Sequence, residues 1–496
     1  MLLMILLIPG WVMAQEGLTL EGLRQRALEY NKSLAMAAHS VEAAGQMKKA
    51  AFTQFLPNFS AVASYTWNQK EISMLAEDGL LPVGTRMSDG SFGFTADQVS
   101  NKWTMVNGKA VPLDASGTPF DPSANPDKIL WKNYALLPKE SMEFDVRNIF
   151  VGGINFVQPV YLGGKIAALY KLAGYNEQLA AAREEKQTHE LLVEVDEAYW
   201  RVISLESKVA LAKEYRNLVA RLDSNVNLAV EEGLATRADA LKVRVKLNEA
   251  EMMLTRADNG LSLSRMALNQ LCGLPLSDKT QLKEAVSDVP ETVPETPSLA
   301  VVWDNRPEID MLRQANNIAR SSERIMLSRF LPNVALTGNY LYSNPNIYNG
   351  FQKKFDDMFA FGVTAAVPVF HFGERFHTLK AAREAREATS LQLEEAKEKI
   401  ELQITQNRFK IEENLKKQIA ARKNMDQAEE NLHAATEGFD AGVIPSTDLM
   451  MAQTAWLSAK SEYIDASIDV RLCNLYLRNS LGMVEIPSRK TNNRNN

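Results

Sequence analysis

The chain has 496 residues, of which 46% are hydrophobic and 23% charged, a globular composition that excludes a disordered or low-complexity protein. A net charge of −6 without any Lys/Arg run excludes a nucleic-acid surface. The two cysteines, Cys272 and Cys473, lie in apolar helical surroundings ("NQLCGL", "VRLCNLYL") and read as small buried hydrophobes.

At the N-terminus, Leu2–Ile8 forms an apolar core of signal-peptide length, without a basic stretch before it. Val12-Met13-Ala14 places a small residue before Gln15, so residues 1–14 read as a signal peptide and the mature chain as exported. That segment is too short to span a bilayer as a helix, and no later run of 18 apolar residues exists.

From there the chain says nearly everything twice. "FLPNFSAVASYTW" (Phe55–Trp67) matches "FLPNVALTGNYLY" (Phe330–Tyr342) at an offset of 275. "FVQPVYLGGK" (Phe156–Lys165) matches "AAVPVFHFGE" (Ala365–Glu374) at an offset of 209. The second offset also pairs Gly233 with Gly442, Asp239 with Asp448 and Gly273 with Gly482, so Pro159 to Gly273 aligns without a gap. The offsets differ by one insertion of 66 residues between Trp67 and Phe144. Cys473 falls opposite Ser264, eight residues from Cys272, about 12 Å along a helix and beyond disulfide reach.

Four segments alternate with period two. Phe59, Ala61, Ala63, Tyr65 and Trp67 share one face, as do Val334, Leu336, Gly338, Tyr340 and Tyr342. The second strand of each half reads Phe150, Ile154, Phe156, Val160 and Phe359, Val363, Ala365, Val369. Alternation alone fits a half-buried soluble sheet. Two features point to a membrane. The strands reach the 9–11 residues a bilayer needs, and the apolar face ends in Tyr65, Trp67, Tyr340 and Tyr342, which resembles half of an aromatic girdle at a lipid interface. Four spanning strands leave two open edges, which cannot face lipid, so several copies must close one barrel. Three copies give twelve strands.

The insertion, about residues 69–143, joins two strands and is a long surface loop, either disordered or folded over the barrel mouth. Pro159 and Pro368 are expected to end sheet pairing, and Gly164 and Gly373 to turn each strand into a helix.

The next segments are long helices. Leu192, Val195, Tyr199, Val202, Leu205 and Val209 recur at spacings of three and four, as do Ile400, Ile404, Phe409, Ile411, Leu415 and Ile419. Gly164 to Gly233 corresponds to roughly 100 Å of helix, far longer than a globular helix. The repeats occupy 15–289 and 299–486. They are joined by a Pro-rich linker, 290–298, with Pro290, Pro294 and Pro297, and followed by a flexible tail, 487–496.

With these residues assembled, the chain resembles the TolC family of outer-membrane efflux proteins. The resemblance covers nearly the whole mature chain. It rests on "FLPN" before strands, "QPVYLGGK" and "VPVFHFGE" after them, "NRPEI" opening the second half, and two "G…D" helix interruptions. It implies a homotrimer with a 12-stranded β-barrel in the outer membrane and a twelve-helix periplasmic α-helical tunnel, a mixed coiled-coil and barrel fold. It also implies a periplasmic adaptor (membrane fusion) protein docked at the helix tips and, through it, an inner-membrane transporter.

Under that resemblance "GLATRAD" and "GVIPSTD" are hairpin tips, where Gly233 and Gly442 end one helix in a left-handed turn. Thr236 or Ser446 caps the returning helix, and Asp239 or Asp448 favours its positive end. Leu234, Ala235, Val443 and Ile444 are expected to stay exposed for docking. Asp448 matches a position in relatives where an acidic ring narrows the tunnel entrance. A second acid common three residues on is absent here, where Met451 stands, and Ile444 replaces a basic residue that some relatives use in gating.

The leading function is therefore an exit duct for drugs or other small toxic compounds. Type I protein secretion is the sibling alternative, and a periplasmic coiled coil with no channel is the alternative from another class. Enzymatic chemistry has no support. His39, His189, His371, His377 and His433 show no metal-ligand spacing, and no GxSxG or P-loop is present, so no catalytic residue, metal or cofactor is assigned.

Overall fold

The computed structural model describes residues 18–93, 95–283 and 293–487. The signal-peptide residues 1–14, Pro290 of the linker and the tail from 488 lie outside them. The chain divides into two compact units. One holds the helices: 1–54, 163–331 and 368–496. The other holds the sheet and the insertion: 55–162 and 332–367.

In the helical unit, α1 (Leu20–Tyr30), α2 (Lys32–Thr53), α3 (Lys165–Glu231) and α4 (Arg237–Leu271) are followed by α5 (Leu299–Asp304), α6 (Pro307–Ser328), α7 (Glu374–Asp440) and α8 (Ser446–Ser480). The repeat offsets hold to the residue. Both α3 and α7 have 67 residues, and both α4 and α8 have 35. Ala, Glu, Lys, Leu and Gln dominate these segments, which sustains helix over roughly 100 Å. The returning arm covers only half of the outgoing one. The other half of α3 is flanked by α2 and α6, each of 22 residues.

Leu192, Val195, Tyr199 and Val202 of α3 are buried, with Leu205 and Val209 packed at the margin, in a core shared with α1, α4 and α8. Arg24 of α1 anchors there, its Nε donating to Asp196 at 2.7 Å beside a second guanidinium bond to the same carboxylate. Cys272 is buried in this core. It is a free cysteine, and burial pushes its thiol up to about 11. Ile400, Ile404 and Ile411 of α7 are buried in a second core with Val302, Ile309 and Leu477. Phe409 and Ile419, expected on the packed stripe, are exposed instead. The physical reason is that α3 packs against α2, α4, α6 and α8, whereas within the chain α7 packs chiefly against α6 and α8.

Each short helix is keyed to its long neighbour by an ion pair, and the two keys have opposite polarity. Lys48 of α2 meets Glu177 of α3 at 2.6 Å, while Glu323 of α6 meets Arg386 of α7 at 3.3 Å and Arg383 at 3.1 Å. Offsets of 275 and 209 carry the first pair onto the second.

In the other unit, β1 (Asn58–Trp67), β2 (Asn148–Leu162), β3 (Asn333–Asn344) and β4 (Asp356–Ala366) form one antiparallel sheet in that order, with β1 and β4 at its edges. The register pairs Phe59 with Phe156, Tyr65 with Phe150, Ile154 with Tyr340, and Tyr340 with Phe359. One face therefore carries Phe59, Tyr65, Phe156, Phe150, Tyr340, Tyr342, Phe359 and Phe361, all but Phe156 among the exposed large hydrophobics. The opposite face carries Ser60, Ser64, Thr66, Asn155, Thr337, Asn339 and Thr364. An outward apolar face over 10 to 15 residues per strand fits a bilayer-spanning sheet.

Pro159 does not end the pairing as expected. β2 stays paired to β3 through Leu162 and absorbs Pro159 at a β-bulge before Tyr161, with Val160 as the extra residue. Only the β1 ladder stops just before it, at Val157. Pro368 does lie beyond the end of β4.

The insertion is ordered. Ile72–Ser73 pairs with Glu143–Phe144 and Gly79–Pro82 with Tyr134–Leu137, so these are successive rungs of one stem. Two small hairpins, Thr85–Arg86 with Phe92–Gly93 and Trp103–Val106 with Lys109–Pro112, lie within it. Buried Asn101 crosslinks the second, accepting from Leu130 N–H and donating to the Leu113 and Lys128 carbonyls. At the stem base Asp145 pairs with Arg147 and with Lys353 of the β3–β4 connection, cations that hold its carboxyl far below the usual range.

Candidate functional site at the hairpin tips

Both tips end their outgoing helix in the same way. Gly233 and Gly442 adopt φ of 76° and 71°. The next N–H reaches back five residues, Leu234 to Ala229 at 2.7 Å and Val443 to Gly438 at 2.8 Å. This is the glycine-terminated cap that a left-handed residue permits. Leu234 and Val443 point into solvent, 84% and 77% exposed. Ala235 and Ile444 depart from expectation. Each turns inward and is half-buried, Ala235 packing on the tip's apolar cluster and Ile444 lying over Gly438. Each tip thus offers one apolar residue, not two. Leu211, Val219, Leu222, Val243, Leu449 and Trp456 join both hairpins behind the tips.

The returning helices start differently. Thr236 caps α4, its Oγ1 accepting from Asp239 N–H at 3.2 Å while Asp239 accepts from Thr236, a reciprocal capping box. The Thr236 hydroxyl, and then Lys242 at 3.1 Å, lower the pKa of the Asp239 carboxyl. In α8 the cap position is Pro445, which makes no side-chain cap bond, and Ser446 is the first helical residue and not the cap. Asp448 is exposed, and the one side-chain hydrogen bond of its carboxylate among the described residues is from the neighbouring Thr447 hydroxyl at 3.4 Å. The two aspartates are equivalent by sequence offset but not by environment. Asp239 is tied into a cap, and Asp448 is left facing solvent.

At the strand–helix joints Gly164 and Gly373 both stand immediately before a long helix with φ of 80° and 85°. Among the residues expected to form a girdle, Tyr65 donates to Asn148 at 2.8 Å and packs tilted against Phe150, and Tyr342 stacks on Phe355 at 5.1 Å. Trp67 and Tyr340 are exposed on the same face. One residue was missed by sequence reading. Phe372 has φ of 44°, a left-handed value rare for a bulky side chain, and its ring is 92% exposed. The repeat held the signal, since its counterpart at offset 209 is Gly163.

Duplicated 67-residue helices, hairpin tips and a sheet with one apolar face fit a membrane channel protein built from two repeats of helices and strands. The model of the outer membrane efflux protein family matches residues 139–274 and 301–483, and the chain belongs to that family. It is 25% identical over 357 residues to the alkaline protease secretion protein AprF of Pseudomonas aeruginosa, covering 70% of this chain and 72% of that one. It is 24% identical over 354 residues to the outer membrane protein TolC of Vibrio cholerae, covering 70% and 78%. The Campylobacter jejuni CmeC outer membrane channel superposes with a TM-score of 0.72 at 14% identity, covering 94% of this chain and 86% of that one. The fold class is thus a helical tunnel joined to a β-barrel, built from two repeats per chain. The protein is an efflux channel of the outer membrane whose helical tunnel lies in the periplasm. Proteins of this family work with adaptor proteins and inner-membrane transporters.

Proposed function

We propose that three copies of this chain form one continuous exit duct for drugs or other small toxic compounds. It docks a periplasmic adaptor at its hairpin tips and, through that adaptor, serves an inner-membrane transporter. The observation that carries the homotrimer is the inequality of two helices of equal length. α3 buries 20 residues and α7 buries six. Leu402, Phe409 and Ile419 of α7 remain exposed, as do Leu241, Val245 and Leu263 of α4 and Met36 and Met47 of α2. A neighbouring copy that gives α7 the partners α3 already has would bury both sets. The open edges of β1 and β4 ask for the same neighbour, because an unpaired edge is untenable in lipid.

The docking surface is proposed at Gly233, Leu234, Ala235, Thr236 and Asp239 and at Gly442, Val443 and Ile444, with Leu234 and Val443 as its apolar contacts. Asp448 is proposed as the periplasmic gate residue. Three free carboxylates at one opening would favour cations over anions. The inserted segment is proposed to lie on the extracellular side, since it joins the strand ends remote from the helices in sequence. The relation to a protease secretion protein favours a second reading, protein export. Deletion of the gene decides between them. Increased sensitivity to small toxic compounds, restored by the intact chain, supports the duct for small compounds. Unchanged sensitivity together with loss of a protein from the medium overturns it in favour of secretion.

A further inference from the structure

The segment Pro368–Gly373, between β4 and α7, carries an exposed apolar cluster for which the single chain has no use. Val369, Phe370 and Phe372 are 89%, 69% and 92% exposed, and Phe370 and Phe372 pack edge to face at 4.8 Å. The segment is held in place. Arg375, buried at the start of α7, donates to the Pro368 carbonyl at 3.0 Å and contacts His371 Nδ1 at 2.7 Å. Glu374 pairs with Arg329 at 3.1 Å. Phe372 is kept in a left-handed backbone conformation that costs free energy for any residue bearing a Cβ, with its ring in solvent. Strain and exposure together point to a partner outside the chain.

The internal repeat supplies the geometry of that partner. In the first half, Gly163 occupies the position of Phe372, and it lies so close to the residues before β3 that a Cβ there would meet the Ser328 carbonyl at 2.7 Å and Leu331 Cβ at 2.8 Å. The offsets of 209 and 275 carry contacts faithfully. The approach of Gly273 to Tyr30 reappears as that of Gly482 to Asn305. Applied to the first contact, they carry Gly163 to Phe372, Ser328 to Thr53 and Leu331 to Leu56. Thr53 and Leu56 precede β1, the edge strand that a neighbouring copy must pair with β4. They sit among Phe52 and Phe55, and Phe52, Phe55 and Leu56 are all exposed in the single chain.

We infer that Phe372 of one copy packs against the Phe52–Leu56 approach to β1 of the next copy, forming an apolar clasp at each seam of the assembly. Within a chain the same junction is a backbone contact made possible by glycine. Between chains an aromatic ring spans it, and the strain at Phe372 is held in exchange for contact with a second copy. This rests on the homotrimer reading, and its test separates the two. The full chain, detergent-extracted in a Cys473→Ser background, is compared on semi-native gels with Phe372→Gly. Glycine suits the left-handed backbone, so the protomer folds at least as well. The trimer is expected to dissociate at a clearly lower temperature. A Phe372→Cys, Leu56→Cys pair is expected to give covalent dimers and trimers on oxidation, absent from either single variant. Buried Cys272 stays protonated and silent.

A parent chain that never forms a trimer overturns the homotrimer reading. A stable trimer with unchanged dissociation in Phe372→Gly and no crosslink overturns the clasp alone. Bimane attached at Phe372→Cys and quenched by brominated phosphatidylcholine would assign the surface to lipid and likewise overturn the clasp.

Discussion

Thr236 and Pro445 occupy one position in two copies of the same turn, and the difference decides what the aspartate three residues on can do. With a hydroxyl at the cap, Asp239 is recruited into the capping box and its carboxyl is held below the ordinary range, first by Thr236 and then by Lys242. A depressed folded-state pKa stabilises at pH values above the unfolded carboxylate value of about 4 and loses that contribution as pH falls through the folded one. The protection factors of amides at the first tip, exchange rates corrected for their intrinsic pH dependence, should therefore fall on acidification below about pH 4. Thr236→Ala should remove about 1 kcal/mol of local helix stability and flatten that pH dependence. With proline at the cap, Asp448 is left facing solvent, as the proposed gate role asks. Asp448→Ala should raise single-channel conductance and weaken block by divalent cations in planar bilayers. Unchanged conductance and block would leave Asp448 as a helix-end charge only.

At the scale of elements, the repeat made most of the fold legible. Offsets of 275 and 209, read from short motifs, give helix lengths that agree between halves to the residue. The six helix-bounding glycines, Gly164, Gly233, Gly273 and their counterparts, all have positive φ. Three things were not legible. The bulge that keeps Pro159 inside β2 depends on pairing with β3, which no local pattern records. The inward turn of Ala235 depends on an apolar cluster assembled from four helices, and that of Ile444 on the helix end at Gly438. The stem of the insertion is built from rungs of two to four residues, too short for periodicity to register. The helix keys offer a test at this scale. Lys48→Glu sets two carboxylates against each other and should loosen the α2 end of α3. Adding Glu177→Arg recreates the polarity of Glu323 with Arg386 and should restore the melting temperature. Additive losses in the double variant would show that the pairs do not set helix register.

At the scale of the molecule, the exposed residues are as informative as the buried ones. Fully burying a large aliphatic or aromatic side chain contributes roughly 1.5–3 kcal/mol. Leaving Phe409, Ile419, Leu402, Leu263 and Met47 in solvent forgoes several such contributions in one chain. The sheet adds two unpaired edges and an apolar outer face. Neither feature suits an isolated copy, and both are met by a closed ring of copies in a bilayer. Four strands per chain make three copies a twelve-stranded barrel. The most direct measurement is native mass spectrometry of the detergent-extracted protein, paired with conductance of the same preparation in planar bilayers. A species of three 55.3 kDa chains, less any cleaved leader, that opens discrete cation-preferring channels is the predicted result. A monodisperse single chain that inserts without conducting would contradict it.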